Sequence, residues 1–144
     1  MEQQDERRLH LLTPQQFHEA WPALRPILLT VEPHCHGEIS VDDIPKLIDD
    51  RAAFALVMTD RGEACLVGIM EILEYPRKTV MNTIMVAGRD IRYFFTDCRD
   101  DVARIAKSLG ATCIRGNMRP SVSRLLQRST PRAREIYSVV EIDL

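Results

Sequence analysis

Three long apolar runs, "AAFALVMT", "EACLVGIMEIL" and "TVMNTIMV", follow one another in the middle of the chain, parted by Asp60-Arg61-Gly62 and by "EYPRK". Runs this continuous in Val, Ile, Leu and Met are strands buried on two faces rather than one. The two connections are short, one built on a glycine turn and one on Pro76, so successive runs fold back on each other. The spacing therefore predicts an antiparallel meander whose third strand extends from Thr79 to Val86. A sheet covered on both sides needs helices above and below it, and the flanking sequence supplies them.

Thr13-Pro14 opens a helix whose apolar face runs through Phe17, Ala20, Trp21, Leu24, Ile27, Leu28 and Val31 at three- and four-residue steps. Pro22 and Pro26 fall inside the pattern, which predicts a kink or two shorter helices near Trp21. Ser40 with Asp43 forms a capping-box pattern ahead of Val41, Ile44, Leu47 and Ile48, a second short helix. After the meander the period turns helical again, with Phe94, Phe95, Cys98, Val102, Ile105, Ala106 and Leu109 on one stripe and Gly110 as its C-terminal cap. "ATCIR" reads as a short strand, "RPSVSRLLQR" as a helix with Pro120 in its first turn, and "REIYSVVEID" as a final strand. The expected fold class is α+β: a mixed, mainly antiparallel central sheet with helices on both faces.

A chain of 144 residues suits one domain spanning 1–144. Its formal charge of -2 gives the whole molecule no pull toward nucleic acid or membrane, so such a partner has to meet a local patch. The apolar runs are interrupted before the roughly 20 residues a membrane helix needs. Cys35, Cys65, Cys98 and Cys113 are widely spaced without a C-x-x-C, and the start "MEQQDERRLH" is charged, which together predict reduced thiols and a cytoplasmic location.

The element order, with Trp21, "YPR" at Tyr75 to Arg77, "AGR" at Gly88, "ARIAKSLGA" and "RPSVSRLLQRS", resembles the Gcn5-related N-acetyltransferases (GNAT), and more narrowly the acetyltransferase-like proteins of tailed phages. The resemblance covers nearly the whole chain. It implies an acetyltransferase-like fold with acyl-CoA placed where the third long strand meets the long helix. Gly88 and Arg89 would lie in the coenzyme loop, Asn117 matches the family's asparagine, and Arg124 stands where the family has its proton-donating tyrosine. The loop pattern R/Q-x-x-G-x-G/A meets Met85 and Asp90 at its two ends, and the helix closes on Ser129 and Thr130 rather than on glycine and an aromatic. Asp90 offers the following helix a carboxylate cap in place of a bound phosphate. These departures point to a degenerate acyl-CoA loop, no expected cofactor, and a role in protein interaction or as a virion component, located in host cytoplasm or particle. The alternative is an active acyl-CoA-dependent N-acetyltransferase of unknown acceptor, using acetyl-CoA.

Glu71 lies within "CLVGIMEIL", where burial of a carboxylate raises its pKa as a general base for an amine requires. The opposing expectation is that Glu71 points to the open edge of the sheet or forms an ion pair with Arg77 or Lys78. "PHCHGE" gathers His34, Cys35, His36 and Glu38, but ligands so close in sequence do not surround one tetrahedral centre, and no metal is expected. Segment 115–134 holds Arg115, Arg119, Arg124, Arg128, Arg132 and Arg134 without one acid. Arg119, Arg124, Arg128 and Arg132 form a candidate interaction surface for a protein partner, self-assembly or nucleic acid. The contrary reading pairs these arginines with Asp97, Asp100 and Asp101 on a solvated face. Tyr93, Phe94 and Phe95 are read as core rather than as base-stacking aromatics.

Overall fold

The computed structural model describes residues 6–89, 91–92, 96 and 99–144. Within them lies one five-stranded sheet, β1 Arg7–Leu11, β2 Phe54–Asp60, β3 Glu63–Tyr75, β4 Lys78–Gly88 and β5 Cys113–Gly116, arranged in that order. The first four strands pair antiparallel and β5 joins β4 in parallel, so the sheet is mixed and mainly antiparallel, as the sequence predicts. Arg61 and Gly62 both take positive φ, 54° and 82°, the backbone that a two-residue hairpin loop requires. The second hairpin turns through Pro76 and Arg77, leaving Tyr75 opposite Lys78.

Helix α1 spans Pro14–Leu29 and α2 spans Ile44–Asp49. Thr13 and Gln16 close a reciprocal capping box on α1, and Ser40 with Asp43 closes another on the 3-10 turn that leads into α2. Of the kink and the two shorter helices expected, the second does not occur: α1 runs as one helix of 16 residues through both prolines. Pro22 and Pro26 are both exposed and stand one turn apart. The carbonyls they leave without an amide partner therefore sit on the water side, where solvent satisfies them.

Two apolar clusters sandwich the sheet. Phe17, Leu24 and Leu28 of α1 and Ile44 and Ile48 of α2 pack on Val57, Val67, Ile69 and Met85. On the opposite face, Val102 and Ala106 of α3, Arg99–Ser108, pack with Leu56, Met58, Leu66, Met70 and Met81. Gly110, φ 85°, ends α3: its amide reaches the Lys107 carbonyl while Ala111 reaches Ala106. Leu109, expected on the buried stripe, is instead 38% exposed. Asp90, Tyr93, Phe94, Phe95, Asp97 and Cys98 lie outside the described residues.

Helix α4, Pro120–Ser129, follows β5 as expected and has no buried residue. The final strand does not form. Residues 134–144 make no ladder and are exposed throughout, because the pattern that suits a strand does not itself supply a neighbour to pair with. Strand β1 is the converse case. Its "RRLHL" is short and charged, a blunted edge without an apolar run to announce it.

Candidate functional site

Where β4 and β5 lie side by side they pair from Val80–Cys113 to Thr83–Gly116 and then part. Between Ile69 and Met70 the β3–β4 register shifts, leaving Ile84 as an extra residue in β4 directly after the last pair with β5. A bulge bends the strand that holds it. Beyond Thr83 and Gly116, β4 continues to Gly88 while β5 has ended, so this stretch of β4 has no β5 partner among the described residues.

Glu71 and Asn82 face each other across the ladder one residue before that last pair, and Asn82 in turn is the register partner of Arg115. Asn82 Nδ2 donates to Glu71 Oε1 at 2.9 Å. The carboxylate is therefore not sealed in the core, and its hydrogen-bond partner is neither Arg77 nor Lys78. It is half-buried and has a neutral amide as partner. Counting back equally from the Tyr75–Lys78 hairpin places Asn82 opposite Glu71, a signal available in the sequence once the turn is fixed.

Gly88 ends β4 with φ 131°, a conformation that favours glycine. The space its missing Cβ would take is filled by the β3 backbone at Cys65 and Leu66, so this glycine serves strand packing rather than the approach of a ligand. The next amide is committed as well, since Arg89 N–H donates to the Cys65 carbonyl oxygen at 2.9 Å. A pyrophosphate cradle needs such amides free and pointing outward. The Arg89 amide is thus taken up within the sheet, while the Arg89 side chain is exposed.

Asn117 lies just beyond β5 and Arg124 in the second turn of α4, both exposed. Arg119, Arg128 and Arg132 are exposed too, and none of these arginines makes an ion pair among the described residues. Of the proposed acidic partners, Asp100 lies 4.0 Å from Arg99, and Asp101 accepts from Arg104 at 2.6 Å. Those two pairs form within α3, which removes them from the arginines of α4.

Arg115 behaves differently from the rest of its segment. Its guanidinium lies 5.5 Å from the Tyr75 ring centroid and 5.8 Å from that of Tyr137, and its Nη1 donates to the Tyr75 hydroxyl at 3.3 Å. The sequence reading missed this stack because it joins β3, β5 and the C-terminal segment across long separations.

In the loop before α2, Cys35 Sγ donates weakly to the Val31 carbonyl oxygen at 3.6 Å. Burial foremost, then Glu32 and Glu38, push its thiol above the ordinary range. No three His, Cys, Asp or Glu side chains among the described residues converge as a metal site. No helix among them is long and apolar enough to cross a membrane.

No protein-family model matches the sequence, and neither does any curated protein. Solved structures do match the fold. A ribosomal-protein-alanine N-acetyltransferase from Brucella melitensis biovar Abortus is 17% identical with a TM-score of 0.66, over 96% of this chain and 99% of that one. An aminoglycoside acetyltransferase from an uncultured soil metagenomic sample, in complex with sisomicin, is 11% identical with a TM-score of 0.70, over 96% and 97% of the two chains. A GNAT family acetyltransferase from Staphylococcus aureus is 13% identical with a TM-score of 0.66, over 96% and 99%. Likeness at such identities is likeness of architecture: the chain has the GNAT acetyltransferase fold.

Proposed function

We propose that this GNAT-fold chain works by binding a protein partner rather than by transferring an acyl group. The observation behind this reading is the hydrogen bond from Arg89 N–H to the Cys65 carbonyl oxygen, which occupies an amide that a coenzyme's pyrophosphate would need. Met85, with its side chain buried in the core, and Arg124, in place of a phenol, agree with it. The exposed arginines of α4 supply the surface for a partner. In a phage-encoded protein of the kind the sequence resembles, that role is a component of the particle.

One observation favours a second reading, an acyl-CoA-dependent N-acetyltransferase. The half-buried Glu71 carboxylate, held by Asn82 one residue before the last β4–β5 pair, is a group able to take a proton from an amine acceptor. The solved structures of like fold are named as acetyltransferases acting on a ribosomal protein's alanine and on aminoglycosides. Arg89 and Arg124 would then offer their side chains to phosphate in place of the loop amides.

Calorimetry with acetyl-CoA at up to about millimolar concentration separates the two readings, since a dissociation constant near 1 mM marks binding of only about 4 kcal/mol. The partner-binding reading expects no saturable heat. Micromolar binding that Arg124→Glu weakens and Glu71→Gln leaves intact, together with acetyl transfer that Glu71→Gln abolishes, would put the enzyme first.

A further inference from the structure

We propose that Arg124 and Arg128 of α4 form a docking site for an acidic protein segment, one that presents two carboxylates about 6 Å apart. This rests on the partner-binding reading and names the chemistry of the partner.

Helix α4 divides its surface by spacing. Val122, Leu125, Leu126 and Ser129, at three- and four-residue steps, are half-buried and form its inner side. Away from them run two neighbouring strips, each made of residues one turn apart: Ser123 with Gln127, and Arg124 with Arg128.

The chain itself uses the first strip. As the backbone returns past α4, Glu135 Oε1 accepts from Ser123 Oγ at 2.8 Å and from Gln127 Nε2 at 3.4 Å. An acid brought this close bonds to neutral groups and leaves the arginines alone. Arg124 and Arg128 stay exposed and without an ion pair among the described residues. Other cations of the surface are engaged: Arg25 with Asp42, Lys46 with Asp50, Arg61 with Glu6 and Arg104 with Asp101.

Residues one turn apart on a helix are offset by about 6 Å along its axis, and each guanidinium has a planar fork that meets a carboxylate through two parallel hydrogen bonds. A pair of carboxylates has the matching spacing when it stands one turn apart on a helix or two residues apart on a strand, about 6 to 7 Å in either case. Arg119 ahead of the pair and Arg132 beyond it, both exposed, extend the positive field at its ends, and no acid lies between them in sequence.

The surroundings favour a protein segment over a nucleic acid. Glu135 stands beside the arginine strip and the whole chain carries a formal charge of -2. A phosphate backbone many charges long is therefore repelled where it passes beyond the arginines, whereas a short acidic segment spans only them.

The test titrates the full chain with fluorescein-labelled octaglutamate, followed by anisotropy at about 20 and about 200 mM salt. Saturable binding is expected, weaker at the higher salt. Arg124→Glu with Arg128→Glu should raise the dissociation constant at least about ten-fold. Arg77→Glu with Lys78→Glu, which reverses two exposed cations on the β3–β4 hairpin, should change it less than about three-fold. NMR of the unmutated chain needs no variant to fold: octaglutamate should shift the Nε–H signals of Arg124 and Arg128. No saturable binding at about 1 mM octaglutamate overturns the proposal. So does an equal loss from the hairpin substitutions, which would mean a diffuse field rather than a site. Octathymidylate binding more tightly than octaglutamate overturns it in favour of nucleic acid. Acetyl-CoA calorimetry fails separately: micromolar acetyl-CoA binding with octaglutamate still seated on Arg124 and Arg128 sinks the reading beneath and leaves the site, whereas silence in both sinks the site and leaves the reading.

Discussion

Gly88 and Cys65 meet backbone to backbone: a Cβ at position 88 would stand 2.3 Å from the Cys65 carbonyl oxygen and 2.7 Å from Leu66 Cα. Neither atom belongs to a side chain that can swing away. Gly88→Ala should therefore cost roughly 2 to 4 kcal/mol, by strain at a positive φ and by prising β4 from β3. Gly62→Ala is the control, with φ 82° and nothing within 4 Å, and should cost only about 1 kcal/mol. Urea unfolding of both variants measures the difference, and equal costs would mean that the close approach is not a constraint.

The two apolar clusters lie on opposite faces of the sheet, Phe17 in one and Met81 in the other, both fully buried. Phe17→Ala and Met81→Ala should each destabilise by about 2 to 5 kcal/mol. Sharing no partner, they should add in the double variant within about 0.5 kcal/mol. A large coupling energy in the cycle would show that the faces communicate through the sheet.

Arg25 donates from Nε and Nη2 to the two Asp42 oxygens at 2.9 and 3.2 Å, joining α1 to the turn before α2. That hydrogen bond holds the Asp42 carboxyl below its ordinary range against a smaller opposing effect of burial. Because the folded pKa is depressed, the pair's contribution is complete above the unfolded carboxyl's pKa. It is lost as pH falls through the folded value. Arg25→Met should return the Asp42 titration, followed by NMR, toward that of a free aspartate. A titration that does not move would assign the depression to something other than Arg25.

The Cys35 thiol is held above the usual range by burial, with Glu32 and Glu38 adding to it. Iodoacetamide should alkylate it with a pH midpoint higher than that of a free thiol, because the thiolate is the attacking species. Glu38→Gln should bring the midpoint down part of the way. A midpoint at or below the free value would mean that the loop opens to solvent.

Local pattern made much of this fold legible. The meander shows in its apolar runs and turns, and α1, α2, α3 and α4 in their period and caps, since each signal is confined to a few neighbouring residues. What depends on distant partners was hidden. β1 is recruited by the edge of β2 rather than by its own sequence, and residues 136–144 have a strand's composition without a ladder among the described residues. The same division runs through the site. Gly88 was conspicuous in sequence, but its close approach to Cys65 lies across a hairpin and depended on register. Glu71 was visible as a carboxylate in an apolar run, whereas its Asn82 partner depended on register.

The unequal ladders within the sheet also set an order of release. β3 and β4 are bound from Leu66–Gly88 to Tyr75–Lys78 by a tight hairpin, whereas β5 is held only from Val80–Cys113 to Thr83–Gly116, across a long crossover. Local pairs close early in folding and non-local ones late. Segments with little buried surface open first by sub-global unfolding. Everything from β5 onward is therefore the least cooperative part of the molecule, able to let go and dock again while the hairpins stay shut.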